Sequence, residues 1–197
     1  MQAMQQGYEP RVLINMMNEN GRISRSHGLP YALLSHQASE INLPLVAHPA
    51  SWENYESIFI GALKDMKTRY GISSMVFGDI DLQAHRDWEE KVCLAADMEA
   101  VLPIWKQDRE ILVGNMIDAG IETMIVSCNE TLGENFLGRM LTRELLPELR
   151  ALGVDVCGEN GEFHTLVVNC PLFKNPISVP PFVKVKHDKY WFLQFEV

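Results

Sequence analysis

The sequence predicts an α/β fold, a parallel sheet flanked by helices and followed by a smaller α+β lobe, and three observations carry that prediction. From Arg11 to Ser127, short apolar runs alternate with amphipathic helical stretches. That βαβα order implies parallel strands, because parallel neighbours require crossover connections. After Pro171 the pattern changes to two strand-like runs flanking His187-Asp188-Lys189, as in a hairpin. Between these regions lies Gly158-Glu159-Asn160-Gly161-Glu162-Phe163-His164-Thr165, where a leucine-rich helical run gives way to the apolar run Leu166-Val167-Val168.

The elements follow in order. Met1 to Gln6 reads as the last turn and a half of a helix closed by Gly7, as though the sequence starts partway through an element. Arg11 to Met17 is a strand, Tyr31 to Ile41 a helix, and Leu43 to Ala47 a second strand. Between Ser51 and Gly71, Tyr55, Ile58, Phe59, Ala62, Leu63 and Met66 fall on one helical face. Glu53 and Glu56 near its start, Lys67 and Arg69 near its end, and Gly71 just beyond favour the helix dipole and its cap. Ser73 to Phe77 is a strand, Asp81 to Ala96 a helix, Glu99 to Leu102 a short strand, and Asp108 to Ala119 a helix stopped by Gly120. Ile121 to Ser127 is the next strand, and the run Phe136 to Leu152 is expected to be one helix ended by Gly153. Phe182 to Lys186 and Tyr190 to Phe195 form the hairpin arms. Two lobes result, 1–103 and 104–197.

Composition narrows the function classes. A chain of 197 residues with 47% hydrophobic content supports one ordinary domain or two small lobes. No apolar run approaches the ~20 residues that span a bilayer, and no basic, hydrophobic leader opens the sequence; a soluble, cytoplasmic protein is expected. A formal charge of −9 argues against a phosphate-tracking nucleic-acid surface. Cys93, Cys128, Cys157 and Cys170 are widely spaced, without a Cys-x-x-Cys pair or a histidine at metal-ligand spacing, so reduced structural thiols are expected and a thiol redox protein is disfavoured.

The chemistry concentrates in Gly158 to Thr165. Glycine admits positive φ and brings backbone N–H groups close to an anion. Carboxylates three positions apart can reach a hard cation, ribose hydroxyls or an ammonium nucleophile; the alternative is an acidic, solvated turn. Ligands of parallel sheets bind at the carboxyl ends of strands, which here are Met17-Asn18 and Phe77-Gly78-Asp79.

Several landmarks occur in one order: Ser26-His27-Gly28, Phe77-Gly78-Asp79-Ile80, His85-Arg86-Asp87-Trp88, Pro103-Ile104-Trp105, Asp108-Arg109, Leu137-Gly138-Arg139, then Cys157 to Thr165 and Pro171-Leu172-Phe173. The series resembles the diphthine–ammonia ligase family of ATP-binding proteins over nearly the whole chain. The resemblance implies an N-terminal lobe of adenine nucleotide α-hydrolase-like (HUP, Rossmann-like) type that binds ATP with Mg2+, and a C-terminal lobe carrying the Gly-Glu motif. It implies activation of a carboxylate, on a small molecule or a protein, as an acyl-adenylate that ammonia converts to an amide. Family members begin with a strand and a phosphate loop written Ser-Gly-Gly-Lys-Asp-Ser or Ser-Cys-Gly-Lys-Asp-Ser. This sequence contains no such segment and, aligned by its landmarks, begins in the helix just after it. A PP-loop-type ligase or a non-catalytic ligand-binding or partner protein are therefore the two expectations. Sheet edges left without the first strand would favour a homodimer or an unstable monomer.

Roles follow from the resemblance and the residue chemistry together. Glu159 and Glu162, supported by Asn160, are candidates to position substrate or ammonia, with Gly158, Gly161 and Thr165 as candidate substrate- or nucleotide-binding residues of the turn. His164 stands as a general base or as a structural residue. Gly78 and Asp79 face ribose or metal, or Asp79 caps the next helix. His85 and Arg86 are candidates for an anion, with Trp88 as core beneath. Arg109 and Arg139 have the fork geometry of carboxylate or phosphate clamps, against the commoner fate of surface pairing. Met16 and Met17 lie where backbone would meet adenine, or are core. Trp105 is a candidate pocket wall, and Cys157 is taken as structural.

Overall fold

Pairing of the backbone divides the chain into two sets of strands of opposite character. A computed structural model describes residues 1–196, and these form two units: Met1–Gly21 with Leu43–Gln107, and Arg22–Asn42 with Asp108–Val197.

The first unit contains a one-turn helix α1 (Gln2–Gln5) and strand β1 (Leu13–Met17). Strand β2 (Leu45–Pro49) runs parallel to β1, with Leu13 opposite Leu45 and Met17 opposite Pro49. The ladder starts two residues later than the sequence predicts, because Pro44 has no N–H to donate and offers only its carbonyl, to Leu13 N at 2.9 Å. Helix α3 (Tyr55–Tyr70) buries Phe59, Ala62, Leu63 and Met66 and ends at Gly71, whose φ of 65° closes a bond to Lys67 O. Strands β3 (Ser74–Val76) and β4 (Glu99–Val101) form a second parallel pair around helix α4 (Gln83–Ala95). The parallel crossovers are thus present, but as two separate two-stranded sheets. Both helices close on one core of Met16, Phe59, Leu63, Met66, Val92, Cys93 and Met98, with Trp88 packed against its margin. Burial of these side chains contributes about 1.5–3 kcal/mol apiece.

The second unit begins with the segment 22–42, which carries helix α2 (Tyr31–Glu40). Gln37 Nε2 donates to Val167 O at 2.8 Å, and Glu40 accepts from Asn175 N at 2.8 Å. Helix α5 (Arg109–Asp118) is capped by Asp108, whose carboxylate accepts from Ile111 N at 2.9 Å. Strand β5 (Glu122–Asn129) follows, buried from Thr123 through Cys128. The alternation predicts β5 as one more parallel strand; instead it is an inner strand of an antiparallel sheet of order β6 (Phe163–Asn169), β5, β8 (Tyr190–Phe195), β7 (Phe182–His187). Both of its ladders are filled by strands that return after it, β6 and β8. Strand β7 pairs with β8 from Phe182 opposite Phe195 to His187 opposite Tyr190, as the hairpin reading expects.

The helix expected over Phe136 to Leu152 is a correction. Only a single 3-10 turn at Glu134–Phe136 and the helix α6 (Leu146–Ala151) form. Gly138 takes φ 83°, and Met124 and Met140 form an isolated bridge, so the intervening chain lies along β5. Gly138 N donates to Ile125 O and Ile125 N to Arg139 O, both at 2.9 Å. Pro147, without a donor, occupies the first turn of α6, where none is needed. Leucine periodicity here reflects burial against a sheet.

Candidate functional site

In the second unit, the turn between α6 and β6 is built by its own carboxylates. Asp155 is its centre: Oδ1 accepts from Cys157 N at 3.1 Å, and Oδ2 accepts from Glu159 N at 3.0 Å and from Arg109 Nη1 at 2.6 Å. Glu162 supplies the second set of acceptors, Oε1 to Asp155 N at 3.3 Å and Asn160 Nδ2 at 3.2 Å, and Oε2 to Asn160 N at 3.1 Å. Arg109 also reaches Asn160 Oδ1 at 3.4 Å. Gly158 has φ 68°, and a Cβ there would stand 2.8 Å from Phe163 O, so the position requires glycine on two counts. Gly161, at φ 82°, has open space around it and requires only the conformation.

The geometry separates the members of the predicted motif. Glu162 and Asn160 hold the loop together. His164 and Thr165 lie within β6, past the turn. Arg109 is a clamp, and the carboxylate it grips is Asp155, with side chains only 23% and 10% exposed. Cys157 Sγ donates to Arg109 O at 3.1 Å, and burial together with Asp155 pushes its thiol up to about 12, in keeping with a structural thiol. Arg139 makes a bidentate pair with Glu148 at 2.8 and 2.6 Å and lies over the Phe136 ring.

Asp155 is the residue that sequence reasoning missed. Its signal was present: an aspartate whose side chain can accept the N–H two residues on, just ahead of a glycine-hinged turn. His27 is a second long-range addition. It sits in the loop before α2 and packs against His164 with ring centroids 4.7 Å apart and tilted planes. Burial, then the neighbouring His164, brings the His27 pKa down to about 4, and burial lowers that of His164.

In the first unit, the predicted residues occupy the loops after β3 and β4 and the start of α4. Asp79 does not cap α4, whose N-cap is Leu82; its Oδ1 meets His85 Nδ1 at 2.6 Å. Arg86 pairs with Glu90 at 2.7 Å and lies over the Trp105 ring, 5.1 Å from guanidinium carbon to centroid. Trp105 Nε1 is buried with no hydrogen-bond partner among the described residues. Gly78 has open space at its Cβ and no left-handed φ, so the fold makes no steric demand for glycine there. Met16 and Met17 are both core, 7% and 1% exposed. Trp88 donates to Glu56 Oε2 at 3.0 Å. Among the described residues no group of three or more His, Cys, Asp or Glu side chains is arranged to hold a metal, and no helix is long and apolar enough to cross a membrane.

Parallel βαβ pairs in one unit, and a glycine-hinged acidic turn on an antiparallel sheet in the other, define a bipartite α/β protein whose two parts have separate counterparts among known proteins. Residues 1–100 match the family model of the diphthamide synthase N-terminal domain, and residues 108–196 that of the diphthamide synthase C-terminal domain. The chain belongs to the diphthamide synthase family. Among curated proteins, it is 25% identical over 173 residues to the diphthine–ammonia ligase of Danio rerio, covering 84% of this chain and 67% of that protein. It is 33% identical over 133 residues to the diphthine–ammonia ligase of Mus musculus, covering 64% of this chain and 49% of that one. Identity to the Homo sapiens diphthine–ammonia ligase is 31% over 132 residues, with the same coverages. The chain spans about half the length of these mammalian relatives.

Proposed function

We propose that this chain carries out, or forms the core of, ATP-dependent amidation of a carboxylate. The reaction would run in two balanced steps. The carboxylate displaces pyrophosphate from ATP to give an acyl-adenylate, and ammonia then displaces AMP, leaving an amide and releasing a proton. The observation that carries this reading is the preorganised Gly158–Glu162 turn within a chain matching both domain models in order. Internal bonds from Glu159 N to Asp155 and from Asn160 N to Glu162 fix the turn, and a fixed geometry supplies positioning that a mobile loop cannot.

ATP would be a ligand of the first unit, in a sheet of adenine nucleotide α-hydrolase type, close to the carboxyl ends of β1 and β3. The buried Trp105 Nε1 and the Arg86 guanidinium suit a planar, anionic ligand. Asp79 is the candidate ligand for Mg2+, which commonly binds through one or two carboxylates plus substrate phosphates and would neutralise charge on the nucleotide. In the second unit, Glu159 is the member of the motif proposed to meet substrate, held by Asp155 through its backbone N–H. The acceptor is a carboxylate on a small molecule or a protein; diphthine is the acceptor named for the relatives. A cytoplasmic setting and a homodimeric state belong to the same proposal.

A second reading, a ligand-binding or partner protein without turnover, is favoured by one observation: the Glu162 carboxylate is engaged by three donors of its own loop. Calorimetry of this chain with Mg-ATP, followed by an assay for ammonia-dependent AMP release, separates the two. Binding with AMP release supports the ligase; binding without release supports the second reading; absence of binding rejects nucleotide chemistry for this chain.

A further inference from the structure

Ser127 lies on the central strand β5 with no exposed surface, and its Oγ has no hydrogen-bond partner among the described residues. A buried hydroxyl left unpaired costs roughly 1–3 kcal/mol, so a serine at this position calls for an explanation. Its cross-strand neighbours identify its surroundings. On β6 it stands opposite His164 and on β8 opposite Phe192, so the three side chains share one face of the sheet. A register shift between Ile125 and Ser127 interrupts the ladder immediately before it, and bulges of this kind re-aim side chains.

The loop before α2 is fixed over that face. Ser24 N donates to Leu29 O at 2.7 Å, Leu29 N returns to Ser24 Oγ at 3.0 Å, and Gly28 N donates to Ser24 O at 3.1 Å. Gly28, at φ 68°, leaves room for Phe192: a Cβ would come within 3.3 Å of that ring. The closed loop presents His27 to His164, with planes inclined at 47°. Two imidazoles and a buried hydroxyl are thereby gathered on one face by three segments distant in sequence.

We propose that Ser127, His27 and His164 form a binding site for ammonia in its neutral form. Neutral ammonia has three N–H donors and one lone pair. A neutral imidazole presents either its acceptor or its donor nitrogen to a given ligand, and a hydroxyl either accepts or donates, so the three residues can meet three of the four groups of ammonia. The ammonium ion, with four donors and a charge, is the poorer fit: burial already disfavours a proton on either imidazole, and His27 is further disfavoured by His164. This assignment rests on the amidation reading and deepens it, because the nucleophile of that reaction must arrive with its lone pair free.

The test is binding on the intact chain, without nucleotide. Long-range proton–nitrogen correlation spectra of the imidazoles are recorded while ammonium chloride is added, at neutral and at mildly alkaline pH, with potassium chloride as the ionic control. Saturable shifts of His27 and His164 that follow the concentration of neutral ammonia, and vanish in Ser127→Ala, are the expected result. Ser127→Ala keeps its fold, since it removes a hydroxyl that makes no bond; His164→Gln provides the second variant. No saturable shift, an equal shift with potassium chloride, or shifts that survive Ser127→Ala overturn the assignment and leave the cluster a packing feature. Ammonia binding that fails in a chain that binds Mg-ATP removes this site and keeps the amidation reading; a chain that takes ammonia but not ATP does the reverse.

Discussion

The candidate sites of the two units treat their leading ion pair in opposite ways. In the first, the Asp79–His85 pair is presented toward solvent, with side chains 27% and 57% exposed. In the second, the Arg109–Asp155 pair is largely covered, and both Asp155 and Glu162 bind the backbone of their own turn. A pair that faces water contributes little to stability, whereas a covered pair becomes part of the fold and cannot lose one member without penalty. The Asp79–His85 pair is therefore open to solvent, whereas Asp155 and Glu162 build the frame on which Glu159 is mounted.

Substitutions at four positions would break or sharpen that contrast. The largest effect is expected from Leu63→Ala, which empties a fully buried position in the first core and should cost about 3–4 kcal/mol in denaturant unfolding. Asp155→Ala should follow at about 3 kcal/mol, because it removes a covered carboxylate partner of Arg109 and the acceptor of two N–H donors. Asp155→Asn should recover part of that loss, and equal losses for the two variants would refute a role for the carboxylate as acceptor. Gly158→Ala should cost roughly 2–3 kcal/mol from the left-handed φ and the clash with Phe163 O together. At the other extreme, Asp97→Asn, which removes the exposed partner of Lys67, should leave the unfolding midpoint unmoved.

Acid sharpens the comparison further. The folded-state pKa of His27 is depressed to about 4 against an ordinary 6.5, so between those values the unfolded chain binds the extra proton. Stability attributable to His27 is complete above pH 6.5 and is lost as pH falls toward 4, by roughly 2 kcal/mol once partial solvent access is allowed for. His27→Asn should flatten the stability profile in that window, as followed by thermal unfolding across pH. An unchanged slope would show that the imidazole is not held neutral.

What the sequence could reveal follows the range of the forces involved. Helix α3 was legible because its face, terminal charges and Gly71 cap are all local. The β7–β8 hairpin was legible because its turn and both arms are adjacent. Leu137 to Leu145 was misread as helix because leucines spaced for a helix also suit an irregular segment laid on a buried strand, and only the bridge from Met140 to Met124 distinguishes the two. The switch of β5 into an antiparallel sheet depends on strands that come after it, which no local pattern announces. In the site, the Gly-Glu turn was visible as a motif, but the Asp155 on which it depends lies three residues before Gly158. The meeting of His27 with His164 and Ser127 requires the tertiary fold.

The segment from Arg22 to Asn42 leaves the first unit and returns to it, so the polypeptide crosses from one unit to the other at three points: after Gly21, after Asn42 and after Gln107. One cut cannot divide such a molecule into its two bodies. A fragment starting at Asp108 would lack α2 and its His27 loop, and the complementary fragment would carry Leu33, Leu34 and Ala38 with nothing of their own unit to cover them. Expressed alone, either half is an invitation to aggregate. Dissection of the protein into these units must instead move residues 22–42 together with the C-terminal part, by permutation or by co-expression.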